Sequence, residues 1–91
     1  MTDSAAIRDA IGEENPDALF FEGFDAALIG VCRRFSNPPL AAYDYHRCIR
    51  VLLDQGMTYE EAVEYFDFNV IGAWVGDGTP CVIYQDEDDY E

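Results

Sequence analysis

The sequence predicts an α+β fold: a small three-stranded antiparallel sheet, two main helices packed on one face, and a short N-terminal helix. Three observations carry this. Residues 58–74 hold an apolar stripe at helical spacing behind a capping box. Residues 44–56 repeat that pattern between an N-capping Asp and a closing Gly. Short apolar runs at 25–35, 40–43 and 81–84 are bounded by turn residues and read as strands. The 91 residues make one domain, with 1–85 as the folded unit and 86–91 as an acidic tail. A chain this size buries roughly 60–65% of its unfolded surface, enough for one modest core.

Taken in order, Ser4 caps a first helix from Ala5 to Glu14, with Ala6, Ile7, Ala10 and Ile11 on one side. Asn15-Pro16 ends it. Asp17 reads as the cap of a further turn, Ala18 to Phe21, whose Leu19, Phe20 and Phe21 pack on the core. Glu22-Gly23 signals a turn. Asp25 to Phe35 is the first strand, with Gly30 marking a bulge or a close contact. Ser36-Asn37-Pro38-Pro39 is a loop, and Leu40 to Tyr43 a second strand, antiparallel to the first across a hairpin. Asp44 caps a helix from Tyr45 to Gln55, closed by Gly56. Tyr45, Cys48, Ile49 and Leu52 form its buried face, while His46, Arg47 and Arg50 point away.

The next segment organises the rest. Thr58 and Glu61 form a capping box, and Glu60, Glu61 and Glu64 follow in the first two turns, where the positive helix end favours carboxylates. At about 100° per residue, Tyr59, Ala62, Val63, Phe66, Val70, Ala73 and Trp74 share one face, and Glu60, Glu64 and Asp67 lie on its flank. Gly76 closes the helix, Thr79-Pro80 breaks the chain, and Cys81 to Tyr84 is the third strand. A rival reading makes 70–75 a strand, with Gly76 to Thr79 as a hairpin turn into Cys81–Tyr84; the unbroken stripe favours the helix. In either case residues 68–75 are apolar nearly all round. They must be buried on two sides or meet another chain, which leaves a homo-oligomer through 68–75 open. Tyr65 and Phe68 are a second buried side or an exposed aromatic patch. Asn69, if buried, needs a hydrogen bond, most simply to nearby backbone.

The charge narrows function more than any motif does. The chain carries 19 acids against 5 Arg and no Lys, a net charge of −14. Residues 33–50 hold Arg33, Arg34, Arg47 and Arg50 against Asp44 alone, whereas residues 51–91 hold eleven acids and no base. Such a field repels nucleic acid and anionic membrane and favours basic partners. Solubility or salt adaptation is the competing explanation of the acidity. With 49% of residues apolar and 13 aromatic, this is not a disordered acidic chain. No run of about 18 apolar residues exists to span a membrane. The start, MTDSAAIRDA, lacks the pattern of a signal peptide, so a cytoplasmic setting is expected. Cys32, Cys48 and Cys81 then read as three reduced, buried thiols.

No catalytic kit is visible. Ser4 and Ser36 sit at a cap and in a loop, and the one His, His46, has no ligand-spaced partner. The GDGT stretch at 76–79 lacks the arc and the Lys of a phosphate loop. A non-enzymatic protein without metal or cofactor is expected. The feature with functional shape is the ridge of Glu60, Glu64 and Asp67, about 10 Å long at the helical rise. A solvated helix face has the same pattern. Carboxylates at this spacing can also stand in for the phosphates of a nucleic-acid strand and occupy a basic cleft, with binding that weakens in salt.

From Phe24 to Pro80 the chain resembles a group of small phage and prophage-type proteins. The residues that carry this are GFDAALIG (23–30), YDYHRCIRVL (43–52), GMTYEEAVEYFDFNVIGAWVG (56–76) and TP at 79–80. The first 22 residues and the acidic tail fall outside it. The resemblance implies a mobile-element setting, in which small acidic proteins often inhibit host defence, anti-CRISPR and antirestriction DNA mimics among them. It brings no binding residues with it. The expected partner is therefore a basic nucleic-acid-binding host protein, such as a CRISPR effector, in the host cytoplasm, with no direct nucleic-acid or membrane binding. The candidate contacts are Glu60, Glu61, Glu64 and Asp67, together with Asp86, Glu87, Asp88 and Asp89 of the tail. Two alternatives stand beside this: a nucleotide-sequestering protein using Arg33, Arg34, Arg47 or Arg50 for phosphate, and an oligomeric accessory protein built through 68–75.

Overall fold

The computed structural model describes residues 4–72 and 76–85. Helix α1 spans Ser4–Glu14 and buries Ile11. Strands β1 (Leu28–Arg34) and β2 (Asn37–Asp44) form an antiparallel hairpin, followed by helices α2 (Tyr45–Asp54) and α3 (Tyr59–Phe66). A π-helical turn, Asp67–Ile71, extends α3, and strand β3 (Cys81–Ile83) completes a sheet of order β1-β2-β3. The α+β class is as the sequence indicates.

The start and stop signals of α2 and the start signal of α3 act as predicted, whereas Ser4, read as a cap, is the first helical residue of α1 and Asp17 caps no turn. Asp44 accepts the Arg47 amide at 2.9 Å. Gly56, at φ +102°, closes α2: its amide reaches the Leu53 carbonyl and the Met57 amide reaches Leu52, the paired bonds that favour a glycine there. The capping box of α3 is complete, with the Thr58 amide donating to Glu61 at 2.9 Å and the Glu61 amide donating to the Thr58 hydroxyl at 3.1 Å. Tyr45, Cys48, Ile49 and Leu52 are the buried residues of α2. In β1 the register slips between Leu28 and Gly30, the bulge that Gly30 suggested.

Several expectations are corrected. β3 pairs with β2 in parallel, Ala42 to Cys81 and Asp44 to Ile83, so the sheet is mixed rather than wholly antiparallel. The connection through two helices is long enough to bring the chain back in the same direction. α3 rests chiefly on α2, while α1 lies against β1 and β2. Residues 18–21 form no helical turn. Asn15 takes the Asp17 amide and donates to the Pro39 carbonyl at 2.9 Å, and the Leu19 amide is spent on Gly78. Residues 25–27 are a 3₁₀ turn rather than strand. Asn37, Pro38 and Pro39 already belong to β2, leaving a two-residue turn in which Ser36 takes φ +63°. The proline carbonyls, which lie beyond the reach of β3, are satisfied by side chains of Arg34 and Asn15. Residues 67–71 are helical, which excludes the strand reading as far as Ile71; Ala73, Trp74 and Val75 lie outside the described residues.

The core is aromatic at its centre. Phe66 meets Phe21, Phe24 and Tyr45 edge-on, at 6.4, 5.8 and 5.6 Å between ring centres. Phe21 also lies 4.6 Å from the Tyr43 ring and donates its amide to the Tyr43 hydroxyl at 3.0 Å. Tyr59, read as part of the buried stripe, is 55% exposed. As the first residue of α3 its side chain leans back past the helix start.

Gly78 shows how closely the 76–80 loop approaches the N-terminal half. A Cβ there would fall 2.5 Å from the Asp17 carbonyl oxygen, and that obstacle is backbone. Gly78→Ala must separate the two strands of chain and stretch the Gly78–Leu19 bond, at a cost of about 2 kcal/mol. A urea titration comparing Gly78→Ala with the parent checks this; an unchanged midpoint would refute the close approach.

Candidate functional site

The outer flank of α3 carries the ridge. Glu60, Glu64 and Asp67 are all exposed. The Asp67 amide still reaches the Val63 and Glu64 carbonyls, so α-helical spacing holds through Asp67 and the π bond, Gly72 amide to Asp67 carbonyl at 2.9 Å, begins after it. The three carboxylates therefore fall within about 60° of arc on one side. Glu61 is exposed but its side chain is engaged in the capping box. Asp86, Glu87, Asp88 and Asp89 lie outside the described residues.

The arginines neutralise acids elsewhere. Arg33 grips Glu14 with two bonds of 2.9 and 2.8 Å, and Arg8 meets Asp25 at 2.6 Å. The Arg33 guanidinium holds the Glu14 carboxyl below the usual carboxylate range. Arg8 also stacks on the Phe20 ring at 4.4 Å. Among the described residues, neither ion pair involves the ridge. Arg34 donates to the Pro38 carbonyl at 2.7 Å. Arg33 and Arg34 are thus engaged with Glu14 and Pro38, while Arg47 and Arg50 are exposed on α2.

The apolar segment divides. Val70 is buried, while Phe68 is 80% and Ile71 41% exposed. Tyr65 and Phe68 form the exposed aromatic patch, not a second buried side. Asn69 is exposed and donates to the Tyr65 carbonyl at 3.1 Å, the local backbone bond anticipated. A groove of about 360 Å³ runs beside this patch, lined by Phe20, Phe21, Glu22, Tyr65, Asn69 and Pro80 among others.

The end of β3 docks on the start of α2, a juxtaposition the sequence did not reveal. Tyr84 stacks on Tyr45 at 4.2 Å, the His46 Nε2 lies 2.8 Å from the Gln85 carbonyl, and the Gln85 amide approaches buried Asp44 at 3.4 Å. Burial raises the Tyr45 and Tyr84 hydroxyls above the ordinary phenol range, and nearby Asp67 adds to both shifts. No sequence signal marks Tyr84 as a neighbour of Tyr45, because their stacking depends on the direction of β3.

Of the cysteines, Cys48 is buried, whereas Cys32 and Cys81 are half-buried rather than fully enclosed. Cys32 and Cys81 pair with Leu40 and Ala42, alternate residues of β2, and so share a face of the sheet. Burial first, and then the charge of Asp44, pushes the Cys48 thiol up to about 12. Cys48 is expected to stay unlabelled by a thiol reagent at pH 8 in the folded protein and to react on unfolding. Peptide mass mapping reads this, and native labelling at Cys48 would contradict its enclosure.

No helix among the described residues is long and apolar enough to cross a membrane. No protein-family model, curated protein or solved structure matches the chain.

Proposed function

We propose that the protein is a non-enzymatic inhibitor that occupies the nucleic-acid-binding surface of a basic host protein in the host cytoplasm. An anti-CRISPR-like role suits it best. The observation that carries this reading is the ridge: Glu60, Glu64 and Asp67 are aligned, exposed and clear of both described ion pairs. A carboxylate row on a rigid helix meets Lys and Arg as a phosphate row would, without flexible side chains having first to release internal partners. The resemblance to phage and prophage-type proteins supplies the setting.

The test is capture from a host lysate at low and high salt, followed by challenge with duplex DNA. The expected partner is a basic nucleic-acid-binding protein, released both by salt and by DNA. A captured partner that withstands high salt and ignores DNA would sink the reading. Phe68 and Ile71 favour a second role for the same helix, contact between copies of the chain. Sedimentation that returns a monomer at all concentrations would remove it.

A further inference from the structure

The surface changes character where the ridge ends. A cavity of about 260 Å³ opens between the π turn and β3, walled by Val70, Ile71, Pro80 and Tyr84 among others. Asp67 starts the turn that supplies Val70 and Ile71 and lies four positions before Ile71, about one helical turn from that wall. One face of Tyr84 is fixed by its stack on Tyr45, with the rings 20° from parallel. The side chain nevertheless remains 59% exposed, so the held ring still offers aromatic surface to solvent. None of the lining residues is charged, and residues 51–85 contain six acids and no base. A cation entering here finds an aromatic surface and an apolar wall with no like charge in the lining, and the nearest ridge carboxylate, Asp67, about one helical turn away.

We propose that this cavity is an arginine receptor for the basic partner. It rests on the ridge reading for the source of that arginine. The guanidinium lies against Tyr84 and pairs with Asp67, while its methylene stem runs along Val70 and Ile71. Arginine fits better than lysine because its planar, weakly hydrated head can stack and pair at once. A lysine ammonium gains the charge of Asp67 but keeps its water. The ridge carboxylates already favour the forked guanidinium, and the stack on Tyr84 adds to that preference at this site.

The experiment compares nona-arginine and nona-lysine peptides binding to the full chain by calorimetry at low salt. The expected result is a Kd about three- to tenfold lower for the arginine peptide. Tyr84→Phe keeps that preference, and Tyr84→Ala and Asp67→Asn each reduce it toward the smaller preference of the remaining ridge carboxylates. Asp67→Asn leaves the Tyr45–Tyr84 stack intact, so it tests the site even if Tyr84→Ala loosens the fold. Equal affinity for the two peptides, or a preference left undiminished by both Tyr84→Ala and Asp67→Asn, would overturn the receptor. Either result leaves the ridge reading in place, since both peptides would still bind and salt would still weaken them. Failure of both peptides to bind would remove the receptor and the ridge together.

Discussion

Phe66→Ala is expected to remove about 3–5 kcal/mol of stability, the range for truncating a buried aromatic. A domain of this size has about 5–15 kcal/mol in all, so the variant would stand close to unfolding at ambient temperature. Phe66 is fully buried and is the ring on which Phe21, Phe24 and Tyr45 converge edge-on. These three come from the N-terminal connection, the approach to β1 and the start of α2, so the void would open where three parts of the chain meet. Each edge-on pair is worth about 0.5–1.5 kcal/mol beyond area burial, which places the loss toward the upper end. Phe68→Ala is the control. That ring is 80% exposed, and its loss should shift stability by no more than about 0.5 kcal/mol. Guanidinium unfolding of the two variants checks both values. Equal losses would contradict an inward Phe66 at the end of α3 and an outward Phe68 in the π turn.

Residues whose roles are local were legible in the sequence. Asp44, Thr58, Glu61 and Gly56 act within a few positions of themselves, and each does in the structure what its residue type and spacing imply. The inward face of α2 followed from helical period alone. What failed depends on distant parts of the chain. The direction of β3 could not be read, because three apolar residues carry no signal that distinguishes parallel from antiparallel pairing. Residues 18–21 have the composition of a helical turn, but the Leu19 amide is taken by Gly78, far along the chain. Pro38 and Pro39 look like pure loop until Arg34 and Asn15 are found holding their carbonyls. The candidate site divides in the same way. The alignment of Glu60, Glu64 and Asp67 is a property of one helix and could be counted off. The stacking of Tyr84 on Tyr45 needed the sheet to close, and the destinations of Arg8 and Arg33 needed α1 to lie against β1 and β2.

Reversing the ridge with Glu60→Lys, Glu64→Lys and Asp67→Lys together is expected to weaken partner binding at least 100-fold, about 2.7 kcal/mol, with the fold retained. The magnitude follows because three attractive contacts in a basic cleft become repulsive, and like charges brought together at an interface cost several kcal/mol. Retention of the fold follows because none of the three side chains enters an ion pair among the described residues. The one structural cost is a lysine in the first turn of α3, about 0.3–1 kcal/mol against the helix dipole. Net charge alone could weaken binding through the long-range field, so an equal change elsewhere is needed. Asp9→Lys, Glu13→Lys and Asp54→Lys makes it at exposed positions on α1 and the end of α2. This control should slow association, an effect that salt removes, and leave dissociation nearly unchanged. The ridge variant should instead dissociate faster at every salt concentration. If surface plasmon resonance shows the two sets failing alike, the acidity acts as a diffuse field and no particular helix face is the contact. If only the ridge set fails, the contact lies where carboxylates recur at helical spacing, and the partner's basic residues must repeat at a matching interval.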